Sequence, residues 1–156
     1  MGAGKSAVGR LLAKRLGWTF IDLDQLIERG EKKSIPQIFA ESGEPHFREL
    51  ERAYLRAASK RYHAVIALGG GAFMDAANRQ LSETTGLTVW LKVSFATVVS
   101  RVRMDGTRPM FANREQAEAL FKSREAAYRT ARIHVDTDDR PPAAVADQIV
   151  EVMRKP

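Results

Sequence analysis

Residues 1–12 read MGAGKSAVGRLL, and GAGKS (Gly2–Ser6) matches the second half of the phosphate-binding pattern G-x-x-x-x-G-K-[ST]. Glycines let backbone N–H groups approach phosphate oxygens, and a helix that starts directly after them adds the positive end of its dipole. A helix is expected here: Val8, Leu11, Leu12 and Leu16 lie on one face of residues 5–16, and Gly17 follows as a stop. In that reading Gly2, Ala3, Gly4 and Ala7 line a phosphate loop. The Lys5 ammonium reaches the β- and γ-phosphates of a nucleotide, and the Ser6 hydroxyl serves Mg²⁺. The alternative is a Gly-rich turn before a helix that happens to begin Lys-Ser. The first glycine of the pattern falls ahead of Met1, and so does the strand that should feed the loop.

Downstream, apolar runs and helical stripes alternate. WTFID (18–22) reads as a short strand ending in acidic residues, and Ser34-Ile-Pro-Gln37 as a capping box opening a helix to about Ser42. Phe47, Leu50, Tyr54 and Leu55 give the next helix its stripe. AVIAL (64–68), ending in Gly69-Gly70-Gly71, and TVWLK (88–92) read as strands buried on both faces. Ser94 caps a helix carrying Phe95, Val98, Val99 and Val102, and MDGTRPMFAN (104–113) reads as a loop. A helix through Leu120, Phe121 and Tyr128, a strand at RIHVDT (132–137) and a last helix with Val145, Ile149, Val152 and Met153 complete the chain. This alternation predicts an α/β fold, with a parallel sheet covered on both faces and ligands gathered at the carboxyl ends of its strands.

The residues at those ends carry chemistry. Asp22 and Asp24 flank Leu23, and period-two alternation would put both carboxylates on one side, one for Mg²⁺ and one for a substrate hydroxyl. In GEPHFRELE (43–51), Arg48 follows Phe47, and a fixed guanidinium clamps a carboxylate in a way lysine does poorly. Its alternative is an ion pair with Glu44 or Glu51 at helical spacing. His46 reads as an exposed polar residue. Three successive glycines leave backbone amides bare for a ligand, or else make a tight connection. Arg108 precedes Pro109 in the loop, where a closing arginine neutralises charge on a transferring phosphoryl group. Arg101 and Arg103 stand upstream of it. Arg124 and Arg129 follow on the next helix, where either could be a solvated charge.

GAGKS, the DLD at 22–24, GEPHFRELE, the GGG at 69–71, RP at 108–109, SREAAYR (123–129) and VDT (135–137), in this order and spacing, resemble the shikimate kinase family over the whole chain. The resemblance implies a single domain, residues 1–156, with a three-layer P-loop kinase fold of the nucleoside-monophosphate-kinase type and a lid at about 104–116. It implies a five-stranded parallel sheet in the order 2-3-1-4-5, and transfer of the ATP γ-phosphate to the 3-hydroxyl of shikimate. Position by position, Asp24 would hold the shikimate hydroxyls and act as base, with Lys5 and Arg108 on the phosphates. Arg48 and Arg124 would grip the shikimate carboxylate, with Gly70 and Gly71 supplying backbone contacts. Asp22 and Ser6 would serve Mg²⁺, and Arg101, Arg140 and Pro142 would line the adenine pocket.

Two departures bear on these expectations. Met110-Phe111 stand after RP where the family usually has two leucine-like residues. The family's strand 1 and first loop glycine are not in the sequence. Because that strand is the central one, its neighbours are expected to leave unpaired ladder groups facing a gap, and Met1 is expected to be an internal methionine of the loop. A catalytically impaired ligand-binding domain and a gluconate-type kinase are the competing readings. Arg48, Arg124 and GGG argue against the second, and the retained Lys5, Ser6, Asp22, Asp24 and Arg108 against the first.

Composition narrows the class. With 44% hydrophobic and 28% charged residues among 156, the chain reads as an ordinary globular domain. No apolar run approaches the roughly 20 residues of a membrane span. The absence of cysteine removes disulfides and thiolate metal sites, so a cytoplasmic setting is expected. A net charge of +6 is dispersed, without a basic tract or an aromatic platform, which favours anionic small molecules over nucleic acid. A monomer is expected, since no heptad pattern is present.

Overall fold

The computed structural model describes residues 2–105 and 114–155, the side chains of 102–105 excepted. Its order is α1 (Lys5–Leu16), β1 (Thr19–Asp22), α2 (Leu23–Glu31), α3 (Ile35–Ala58), β2 (Ala64–Ala67), a 3-10 turn (Ala72–Met74), α4 (Ala76–Thr85), β3 (Val89–Lys92), α5 (Phe95–Asp105), α6 (Arg114–Tyr128), β4 (Ile133–Asp136) and α7 (Pro142–Arg154). Local chemistry accounts for the helix starts. Ser34 and Gln37 form the full capping box of α3, and Asp75 caps α4 by accepting from the Asn78 N–H at 3.0 Å. α3 breaks at Gly43, whose φ of 77° is left-handed, just before Pro45; this separates the two helices expected there.

Among the described residues the strands form two separate parallel pairs, β1 with β2 and β3 with β4. A cavity of about 700 Å³ lies between them, lined by Val65, Ala67 and Leu68 on one side and Val89 and Leu91 on the other. The expected gap between the sheet's inner edges is therefore present. Strand burial differs from the reading of strands covered on both faces. β3 is only half-buried throughout, because the cavity runs along its edge, and β4 alternates buried Ile133 and Val135 with exposed His134 and Asp136.

Each pair has its own core. Leu23, Ile27, Ile38, Phe47, Leu55 and Ala72 pack beside β1 and β2, while Val8, Leu12, Ile133, Val135, Val145, Ala146 and Ile149 pack beside β3 and β4. α1 spans the two: it packs against α7 on one flank and against β1 and β2 on the other.

Three sequence expectations change. The strand at 18–22 stops at Asp22, and Asp24 lies in the first turn of α2, so strand alternation does not place the two carboxylates on one side. Asp22 is itself the α2 cap, accepting from the Gln25 N–H. Helices α2 and α4 add to the elements read from the sequence. Of the segment read as a loop from 104, residues 104–105 close α5, and α6 opens at Arg114; Arg108, Pro109, Met110 and Phe111 lie outside the described residues.

The facing edges of β2 and β3 make a direct prediction. A variant carrying an apolar, β-branched strand of about five residues ahead of Met1 should gain ladder bonds worth on the order of 1 kcal/mol each. Its urea midpoint should rise and its binding of a hydrophobic dye fall. An unchanged midpoint would show that the edges are not a docking slot.

Candidate active site

The phosphate side is built by the start of α1. Gly4, at φ 78° and ψ 23°, occupies the N-cap in the left-handed region that glycine adopts without strain. No side chain caps this end and no acidic residue stands in its first turn, so the first N–H groups and the helix dipole favour an anion there. Arg101 fastens the loop to the far side of the molecule, donating to Gly2 O at 2.8 Å and to Thr137 O at 3.1 Å. Beside it lies a cavity of about 220 Å³, lined by Ala3, Gly4, Arg101, Thr137, Arg140 and Pro142 among others. The three residues assigned by resemblance to an adenine pocket thus share one recess with the loop. Arg140 shapes its wall while donating to Asp136 O at 3.2 Å and to the Gln148 side chain.

Ser6 Oγ donates to Asp22 Oδ2 at 2.8 Å, joining the first turn of α1 to the end of β1. A hydroxyl and a carboxylate are hard oxygen donors, and Mg²⁺ takes one or two of these while phosphates and water complete its shell. No cluster of three or more acidic or histidine ligands occurs among the described residues. The pair therefore fits a metal that arrives with a phosphate rather than one held in a protein cage.

The acceptor side is organised by the turn Gly69–Gly71. A Cβ at Gly69 would lie 2.6 Å from Asp24 Oδ1, and one at Gly71 would lie 2.5 Å from Arg48 Nη1. A side chain at either position would displace the Asp24 carboxylate or the Arg48 guanidinium, which press on the same turn. Asp24 reaches it from α2 and Arg48 from α3, across the parallel register that sets Asp22 opposite Ala67.

Arg48 makes both ion pairs that its helical spacing allows. Nη2 donates to Glu44 Oε1 at 3.0 Å and Nη1 to Glu51 Oε2 at 2.9 Å. Glu51 is 1% exposed. Burial works against the Arg48 charge, but Glu51 and Glu44 outweigh it and hold its pKa above the ordinary value. For Glu51 burial dominates and pushes its pKa up; Arg48 opposes this, and the charges of Asp24 and Asp75 add to it. The two partners respond unequally because Arg48 faces two carboxylates while Glu51 is the more deeply enclosed.

Arg124 is half-buried and lines the upper end of the larger cavity with Lys5, Gly70 and Tyr128. Arg129 points instead to solvent, 3.6 Å from Glu125, and His46 is exposed near Glu49. Lys5, Gly69, Gly70 and Arg124 thus line one cavity, and Asp24 and Arg48 press on the Gly69–Gly71 turn at its border. Tyr128 lines the same cavity, Glu51 adjoins it through its bond to Arg48, and Thr137 borders the smaller recess; none of the three is a site residue in the sequence reading, where Glu51 enters only as an ion-pair partner of Arg48.

A phosphate cradle at a helix start, facing a turn that holds a carboxylate and a guanidinium, belongs to the P-loop kinases of small molecules. The comparisons are narrower. A family model described as shikimate kinase matches residues 1–154. The shikimate kinase of Moorella thermoacetica is 40% identical over 99% of this chain and 90% of that protein, and the one from Geobacter metallireducens is 41% identical over 97% and 85%. Among solved structures, shikimate kinase from Acinetobacter baumannii in complex with shikimate superposes with a TM-score of 0.92 at 36% identity, over 98% of this chain and 88% of that one. The Bacteroides thetaiotaomicron enzyme gives 0.91 at 30% identity, over 99% and 94%. The chain belongs to the shikimate kinase family.

The buried Glu51 sets a pH test. Its folded pKa lies above the ordinary 4.5, so the folded state holds this proton longer than the unfolded chain does. The group's contribution is then greatest below 4.5 and declines as pH rises through the folded pKa. Glu51→Gln removes the titration, so its Tm relative to the parent should climb as pH rises from about 4.5 to neutrality. A difference that shrinks over that range contradicts the assignment.

Proposed function

We propose that the protein transfers the γ-phosphate of ATP to the 3-hydroxyl of shikimate, with Mg²⁺, giving shikimate 3-phosphate and ADP in aromatic amino-acid biosynthesis. The observation that carries this reading is the shared turn, where Asp24 and Arg48 meet Gly69 and Gly71 beyond the α1 cradle. A ligand filling that region meets a hydrogen-bond acceptor for hydroxyls and a donor fork for a carboxylate, which suits a polyhydroxy acid.

In this mechanism Arg48 and Arg124 bind the shikimate carboxylate and so fix the ring. Glu44 and Glu51 hold the Arg48 fork in place, so little rotamer freedom is lost on binding. Asp24 orients the 3-hydroxyl and accepts its proton as the oxygen attacks the γ-phosphorus; the bond to the β-phosphate oxygen breaks and ADP leaves. The α1 N–H groups and Lys5 bind the phosphates and stabilise the charge on the transferring group, and Arg108 supplies a further positive charge. Arg101, Arg140 and Pro142 enclose the adenine. Ser6 and Asp22 would hold Mg²⁺, which when bound would offset the charge of the phosphates. The reading includes a monomer working in the cytoplasm, where its nucleotide is available. Among the described residues no helix is long and apolar enough to cross a membrane.

The split sheet favours one rival, a domain that binds shikimate without turning it over. ADP release in a coupled assay, run beside calorimetric binding of shikimate, separates the two. Turnover dependent on ATP, Mg²⁺ and shikimate is expected. Asp24→Asn should lower kcat by about 10²–10⁴-fold while leaving nucleotide affinity intact, the range general-base catalysis supplies. Binding without turnover in the parent chain establishes the rival, and loss of nucleotide binding in the variant removes Asp24 from the role of base.

A further inference from the structure

Tyr128, on α6, has no part in the mechanism above, yet it touches two of its components. Its hydroxyl donates to Gly70 O at 2.6 Å, a short and strong bond. Arg124, one helical turn earlier, lines the same cavity as the hydroxyl and Gly70, and its charge acts on that hydroxyl. The ring is wedged between Phe73 and Trp90, with centroids 6.4 Å and 6.1 Å away. The hydroxyl is therefore aimed by packing on elements outside its own helix.

We propose that Tyr128 is a positioning residue that joins Arg124 and the Gly69–Gly71 turn into one receiving unit for the substrate carboxylate, a role that rests on the shikimate reading.

The chemistry runs through a single peptide group. The carbonyl of Gly70 and the N–H of Gly71 belong to the same amide, and donation to the carbonyl polarises that amide and strengthens its N–H as a donor. That N–H lies on the residue against which Arg48 packs. Tyr128 thus fixes the orientation of Arg124 from one side of its hydroxyl and the peptide beside Arg48 from the other. Burial raises the hydroxyl's pKa, with Arg124 pulling the opposite way, so the group stays protonated and remains a donor to Gly70. Tyrosine is needed for this because it presents a donor and an acceptor on one rigid arm.

Tyr128→Phe keeps the ring and removes only the hydroxyl. In ligand-free protein, NMR should show the Gly71 amide and the Arg124 Nε–H resonances both moving in this variant, since both are coupled to one oxygen. Shikimate affinity, by calorimetry and as KM, should fall about ten-fold, the sum of two net hydrogen bonds. KM for ATP should stay unchanged and kcat should stay within about two-fold, a split that a general loss of stability does not produce. Adding Tyr128→Phe to Arg124→Ala should cost less than it does alone. Unmoved resonances, unchanged shikimate affinity, or full additivity with Arg124→Ala would each overturn the proposal. A parent chain that neither binds nor phosphorylates shikimate defeats the functional reading instead, and the ligand-free spectra still decide whether Tyr128 links Arg124 to the turn.

Discussion

The packing of α1 against both halves of the molecule is the constraint on which the rest depends. The two parallel strand pairs share no ladder among the described residues, so their relative placement comes from elements that reach across. α1 does this with an apolar face: Val8 and Leu12 join the core beside β3 and β4, while Arg10 lies over the Phe20 ring on β1, 4.8 Å from its centroid. Its N-terminus is also the proposed phosphate cradle, so the helix that holds the halves together carries the proposed anion site as well. Arg101 and Tyr128 add bonds of the same kind higher up, each running from a side chain on one element to a backbone carbonyl on another.

Given that frame, the site follows from where the strands stop. Parallel register ends β1 and β2 at one level, with Asp22 opposite Ala67, so the residues just beyond, Asp24 and Gly69, come face to face. The other pair ends with Lys92 opposite Asp136, and the loops beyond it supply Thr137 and Arg140 to the smaller recess. Glycine at 69 and 71 leaves room for the Asp24 carboxylate and the Arg48 guanidinium, which a Cβ there would push aside. The buried Glu51 is the cost of this arrangement: it fixes Arg48 but carries a charge that its surroundings disfavour.

Much of this was legible in the sequence because the informative residues are few and local. GAGKS, the capping box at Ser34 and the apolar runs at 64–68 and 88–92 each announce an element through short-range chemistry, and the structure has all of them. The acceptor residues were legible as a set rather than singly; Arg48 makes the pairs with Glu44 and Glu51 that its spacing offers and lies against Gly71, where a carboxylate clamp is proposed. Helix α2 was obscured because it begins without a loop, Asp22 serving as both strand end and cap, so a strand's periodicity was carried two residues too far, to Asp24. α4 is mostly polar, with Asn78 its buried residue, and offers little apolar stripe to read. Tyr128 was visible as core but not as a partner of Gly70, because that contact joins positions far apart in the chain.

The twin cores have a consequence for cooperativity. Proteins open in contiguous units whose boundaries follow their packing, and here one unit carries the turn at Gly69–Gly71 while the other carries the walls of the smaller recess. The two clusters are nonetheless tied together, because Val65 on β2 packs against the core beside β3 and β4 and α1 touches both sides, so side-chain packing carries between the turn and the recess what a shared ladder would otherwise carry.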